Sequence, residues 1–101
     1  MKKIIDGKLY DTEDAEEICE RRYLGPSDFN YIWEFLFKSS AGQFFISYEG
    51  GAATGYAVPE GRGHRGGAGI KLISVSEAKE FVEEYGTYSD YANTFGEPER
   101  G

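Results

Sequence analysis

Cysteine, histidine, tryptophan and methionine each occur once in this 101-residue chain, and proline only three times. Cys19 alone cannot close an internal disulfide, and a single thiol suits a reducing, intracellular setting. Long apolar runs are missing too. After Lys2-Lys3 comes only Ile4-Ile5, too short for a signal-peptide core or a membrane span, so a soluble cytoplasmic protein is expected. No Gly-Lys-Ser/Thr occurs, which excludes a Walker A phosphate loop. Positive charge is scarce: 11 basic residues stand against 18 acidic ones, a net charge of −7. Such a surface repels nucleic-acid phosphates and favours basic partners, or else simply keeps the protein in solution.

Aromatic residues, by contrast, make up 16% of the chain, and they concentrate between Tyr31 and Glu49. Two alternating runs there flank Ser39-Ser40-Ala41-Gly42, the pattern of an antiparallel hairpin. Strand side chains alternate between faces. Tyr31, Trp33, Phe35 and Phe37 therefore share one side of the first strand, opposite Ile32, Glu34, Leu36 and Lys38. In the second strand Phe44, Ile46 and Tyr48 oppose Gln43, Phe45, Ser47 and Glu49. Aromatics at strand spacing carry large burial energy, and the rest of the chain is expected to pack on this hairpin.

Before it, Asp6-Gly7 suits a tight two-residue turn. Asp11-Thr12 offers an N-cap, and acidic residues follow in the first turn. Ala15, Ile18, Cys19 and the stem of Arg22 then fall at helical spacing. These features predict a first helix that frays near 21–23 and ends at Gly25-Pro26. After the hairpin, residues 50–69 contain eight glycines in twenty positions. This is a long glycine-rich loop, with Tyr56-Ala57-Val58 as its one candidate strand. Ile70 to Ile73 is a further strand candidate. Ser74-x-x-Glu77 matches a capping box, and Val75, Ala78, Phe81, Val82 and Tyr85 form an apolar stripe that predicts a helix closed by Gly86. A last short helix starts from Ser89-Asp90 and is anchored by Tyr91 and Phe95. The expected fold is one α+β domain over residues 1–101. It has a small antiparallel sheet built on the aromatic hairpin, two main helices and a short C-terminal helix, and a single core.

Several stretches invite a chemical reading. Gly61-Arg62-Gly63-His64-Arg65-Gly66 matches G-x-G-x-x-G, but a dinucleotide site needs that pattern to follow a strand and open a helix. Here it sits among many other glycines and precedes a strand. Arg62, His64 and Arg65 are the one basic cluster. They suit a phosphate, a carboxylate or RNA if they act together, and a solvated loop if they do not. The aromatic hairpin resembles a base-stacking platform in composition, yet its acidic surroundings favour a core. Cys19 lies on the predicted apolar stripe, where a thiol is inert, and His64 has no neighbouring carboxylates to share a metal. No cofactor or metal is expected, and the chain is read as a non-enzyme.

Glu13, Glu16, Glu17 and Glu20 are spaced to share one side of the predicted first helix. Glu77, Glu80, Glu83 and Glu84 crowd the second. Like charges at these spacings cost about 0.2–0.5 kcal/mol per pair. A row of carboxylates on a rigid element can imitate duplex phosphates, which recur about every 3.4 Å along a strand. Solvated faces are the plainer account.

The stretches Ile4 to Ala15, Gly42 to Gly51 and Ile73 to Glu80 resemble small acidic proteins of phages and mobile elements, a group associated with anti-CRISPR activity. The resemblance covers about a third of the chain and contains no catalytic motif. It implies a non-enzymatic inhibitor that binds a CRISPR effector complex, with no residue-level site to carry over; the acidic charge makes direct DNA binding unexpected. Docking is expected through Glu13, Glu16, Glu17, Glu20, Glu80, Glu83 and Glu84, with the Arg62/His64/Arg65 loop and the aromatic sheet as the alternative, nucleic-acid-binding surface.

Overall fold

The computed structural model describes residues 1–101. An N-terminal hairpin comes first, β1 (Lys2–Ile5) against β2 (Lys8–Asp11). Asp6 and Gly7 form its turn with φ of 51° and 77°, the positive values that a type I′ turn requires.

The expected first helix is a strand, β3 (Glu16–Tyr23). Asp11 is buried and does accept a hydrogen bond from a nearby amide, but its Oδ1 takes the Glu13 N–H at 3.0 Å. That closes an Asx-type turn in place of a helix cap. A bulge between Glu17 and Cys19 then lets the adjacent Ile18 and Cys19 both pack against the same core. Their adjacency imitates helical spacing. A strand here also places Glu17, Glu20 and Arg22 beside Phe37, Phe35 and Trp33, contacts that a self-repelling acidic helix would forgo.

The aromatic hairpin forms as expected from β4 (Ile32–Lys38) and β5 (Phe44–Gly50), paired antiparallel from Ile32↔Gly50 to Lys38↔Phe44. The glycine-rich stretch is more ordered than a loop. It holds a small hairpin of its own, β6 (Val58–Glu60) with β7 (Gly63–Arg65), turning at Gly61-Arg62. The brief strand expected at Tyr56 to Val58 is thus displaced toward Glu60. Close backbone approach explains the glycines on either side. A Cβ on Gly51 would lie 2.4 Å from the Phe29 carbonyl oxygen, and one on Gly67 2.1 Å from that of Tyr56. β8 (Gly67–Leu72) follows and completes a four-stranded sheet in the order β3-β4-β5-β8, antiparallel throughout.

Register assigns the two faces. Cys19, Leu36, Ile46 and Lys71 align across one, while Glu20, Phe35, Ser47 and Ile70 align across the other. The first face carries α1 (Val75–Tyr85) and α2 (Tyr88–Phe95). Leu36, Phe44 and Ile46 meet Ala78 and Val82 there, and Phe44 packs on Phe95 with ring centroids 5.4 Å apart. α1 has the expected capping box: Ser74 accepts from the Glu77 amide at 3.1 Å, and Glu77 accepts from the Ser74 amide at 3.0 Å. α2 begins two residues earlier than expected. Its N-cap is Thr87, because Thr87 and Asp90 complete a second capping box. Gly86 between the helices is extended, with φ −96°. Its lack of a side chain spares a contact of 2.9 Å with Val82 Cγ1.

The second face also holds a core, where a single one was expected. Phe37 stacks on Phe45 at 5.3 Å, and Tyr10 of β2 meets Phe45 edge-on at 5.6 Å, with Ile70 beside them. The N-terminal hairpin covers only that end of the face. Burying Phe45, Leu36, Ile70 and Val82 completely contributes about 1.5–3 kcal/mol for each side chain. The molecule measures 49 × 35 × 20 Å and its radius of gyration is 14.9 Å, against about 13 Å for a compact chain of ~100 residues. The β6–β7 hairpin pairs with no other strand, and every residue from Pro59 to Gly66 is exposed.

Candidate functional site

On the helical face a cleft of about 250 Å³ opens between α1 and the sheet. Glu77, Glu80, Phe81, Glu84 and Tyr85 line it from α1, at positions that share one side of a helix, and Glu34, Ile46, Lys71 and Ile73 line it from the sheet. At its sheet side lies a polar network. Arg21 Nη1 donates to Glu34 Oε1 at 3.2 Å. The Tyr56 hydroxyl donates to Glu34 Oε2, and Lys71 Nζ donates to the Tyr56 hydroxyl at 2.8 Å. Tyr56 in turn stacks on Tyr48 at 4.2 Å, above Gly69, where a Cβ would come within 2.7 Å of the Tyr48 hydroxyl oxygen. Arg21 also sits 5.1 Å over the Tyr85 ring. Burial, the bond to Glu34 and the Glu34 charge all push the Tyr56 hydroxyl above its ordinary value. Tyr85 is raised as well, chiefly by desolvation. Both phenols are protonated at neutral pH, so Glu34 is held by one cation and one neutral donor.

Of the sequence-predicted acidic residues, Glu80 and Glu84 face this cleft. Glu83 turns away, toward a shallow depression with Val82, Thr87, Tyr88 and Tyr91. Glu77 lines the cleft while serving the capping box, and those hydrogen bonds with Ser74 hold its carboxyl below the usual range. The other predicted row is dispersed. Glu13 lies in the turn before β3. Glu16 pairs across the sheet with Lys38, whereas Glu17 and Glu20 sit on the opposite face beside Phe37 and Phe35. Glu20 is further engaged by Arg22, 3.3 Å away. A strand that alternates between two faces cannot present the continuous acidic side that a helix would have.

The remaining candidates separate too. Cys19 is half-buried beneath the helices, and burial, followed by Asp90 and Glu17, pushes its thiol up to about 11, so it is a poor nucleophile. His64 is on the exposed β6–β7 arm, away from that thiol. No three His, Cys, Asp or Glu side chains converge as a metal would need. The G-x-G-x-x-G stretch runs through the turn and β7 and leads into a strand, the wrong context for a helix-borne phosphate site. On the aromatic face Phe37 and Phe45 are core, and the Arg22 guanidinium lies over Trp33 at 4.6 Å and Phe35 at 5.2 Å. Little flat ring surface remains there for a base. Sequence reasoning did not single out Glu34, Tyr56, Lys71 or Arg21, since their partners are 13 to 22 residues distant.

No helix is long and apolar enough to cross a membrane. No protein-family model, no curated protein and no solved structure matches this chain.

Proposed function

We propose that this chain is a non-enzymatic inhibitor that acts by binding a protein assembly, and that it docks through the carboxylates of α1. A bacterial CRISPR effector complex is the partner class implied by the sequence resemblance. The single observation that carries the docking surface is the charge of α1. Four glutamates and one lysine occupy its eleven residues, and its last turn has no basic residue. Glu83 and Glu84 therefore sit at the negative end of the helix dipole, where acidic side chains are disfavoured by about 0.3–1 kcal/mol each. Lys79, the nearest counter-charge, is drawn toward the Phe95 ring, 5.7 Å away. Charge kept where it opposes helix stability suits a basic partner surface such as a nucleic-acid channel. The dispersed Glu13, Glu16, Glu17 and Glu20 have no part in this contact.

The test is capture of tagged protein from nuclease-treated lysates of bacteria that carry defined CRISPR systems, followed by affinity measurement with the effector recovered. Glu80→Lys, Glu83→Lys and Glu84→Lys together should weaken binding about tenfold or more and flatten its salt dependence. Neutralising Glu13 and Glu17, which lie outside α1, to Gln should weaken binding by less than about twofold to threefold, through net charge alone. Undiminished binding by the α1 variant overturns the docking surface, and recovery of no effector overturns the partner class.

A further inference from the structure

The loop end of the sheet differs in character from the rest of the molecule. Residues 22–31 and 51–66 carry Arg22, Arg62 and Arg65 against Asp28 and Glu60, and Arg22 is paired with Glu20 at 3.3 Å, so this end is close to neutral in a chain whose total is −7. Two backbone hydrogen bonds join these segments, from the Gly51 amide to the Tyr31 carbonyl at 2.9 Å and from the Ala53 amide to the Phe29 carbonyl at 2.8 Å. The bare backbone of Gly51, which has no room for a Cβ against Phe29, keeps them in close contact. Phe29 is consequently held on a braced loop although its side chain points into solvent, 73% exposed. It forms one wall of an open groove of about 310 Å³, with Ala52 and Ala53 beside it and His64 of the arm as the other wall. Arg62 stands at the tip of that arm, and Arg65 at its root is on the strand face opposite His64 by alternation. All three ion pairs of the molecule lie elsewhere or occupy Arg22, so Arg62 and Arg65 are uncommitted.

We infer that this groove and arm form a contact for single-stranded nucleic acid, with a base stacked on Phe29 beside His64 and the phosphates following the arm to Arg62. A sequence-tolerant single-strand site needs an exposed aromatic face and a cationic track next to it. The loop end has both, whereas on the aromatic sheet Phe37 and Phe45 are core and Arg22 already covers Trp33 and Phe35. An acidic peptide would use the arginines but would have no use for an exposed ring. This end lacks the excess negative charge of α1, and the contact stands independently of the docking surface proposed above.

Fluorescence anisotropy of the full chain with labelled oligouridylate and oligothymidylate tests the inference, starting at about 50 mM salt. Binding to either probe is expected, and binding to oligouridylate alone assigns the contact to RNA. Its logarithm should fall with the logarithm of salt with a slope of about −0.7 for each phosphate engaged. Phe29→Ala should weaken binding about fivefold to a hundredfold. Arg62→Glu combined with Arg65→Glu should weaken it at least as much, with Arg62→Glu alone giving the larger share. All these positions are exposed, so circular dichroism should show every variant folded. No anisotropy change with either probe at the lowest salt overturns the inference. So does equal binding of a labelled polyglutamate peptide, or undiminished oligonucleotide binding by the Phe29→Ala protein.

Discussion

Tyr56 lies in the glycine-rich segment, yet its side chain belongs to the sheet. Its ring is stacked on Tyr48 and its hydroxyl is shared between Glu34 and Lys71. Gly67 and Gly69 make room for this arrangement. The charged groups around the phenol are Glu34, Arg21 and Lys71, and burial with Glu34 outweighs the opposing effect of Arg21. The ionised form is therefore disfavoured in the folded state, and an unfolded chain gives up this proton more easily, near pH 10. Stability contributed by Tyr56 is complete below about pH 10 and is lost as pH rises further toward the folded value. Tyr56→Phe should cost about 1–2 kcal/mol at pH 7, since Glu34 loses a donor in a half-buried site. It should also flatten the alkaline decline. Urea melts at neutral pH and between about pH 10 and 11.5 read both effects. Tyr31 and Tyr85 are raised in the same direction, so the decline shrinks without vanishing. An unchanged alkaline slope would show that the Tyr56 proton is not linked to folding.

Among the elements, α1 was legible because its signals are local. Ser74 and Glu77 meet across three residues, and the apolar stripe needs no knowledge of what it packs on. Ser74→Ala removes the acceptor for the Glu77 amide and should cost about 1 kcal/mol, lowering Tm by about 4–8 °C. A melt indistinguishable from that of the parent would mean that the box is redundant with the packing of Ala78 and Val82. β3 shows the opposite case. Ile18 and Cys19, flanked by Glu17 and Glu20, fit a helical stripe, and the segment forms a strand because its best partners are in β4. Arg21 finds Glu34, and Arg22 finds Trp33 and Phe35. Nothing within residues 11–23 announces those contacts, and the bulge that reconciles two adjacent apolar residues with a strand is visible only in the register. The candidate cleft was half legible for the same reason. Glu80 and Glu84 lie on a helix readable from its own residues, whereas Glu34, Lys71 and Tyr56 converge through long-range pairing.

At the scale of the whole molecule, structural burden and charge are unevenly distributed. The four-stranded sheet carries a core on each face, and both are built from residues outside 58–66. The β6–β7 hairpin extends beyond them, exposed from Pro59 to Gly66 and paired only with itself. An isolated two-stranded hairpin is marginal in water, so this one adds little to the stability of the whole. Replacing Pro59 to His64 by Asn-Gly would join Val58 to Arg65 through a type I′ turn and keep their existing pairing. The shortened protein should unfold within about 0.5 kcal/mol of the parent, the range of changes that touch no core, and its near-ultraviolet dichroism should be retained. Hydrogen exchange gives the complementary reading. Arm amides should exchange far faster than those of β4 and β5, which lie at the centre of the sheet. A large loss of stability would mean that the arm braces the Phe29 loop through His64, making the groove part of the fold. Unchanged stability, with oligonucleotide binding lost, would separate the two roles: the sheet and helices hold the structure, and the arm is kept for what it touches.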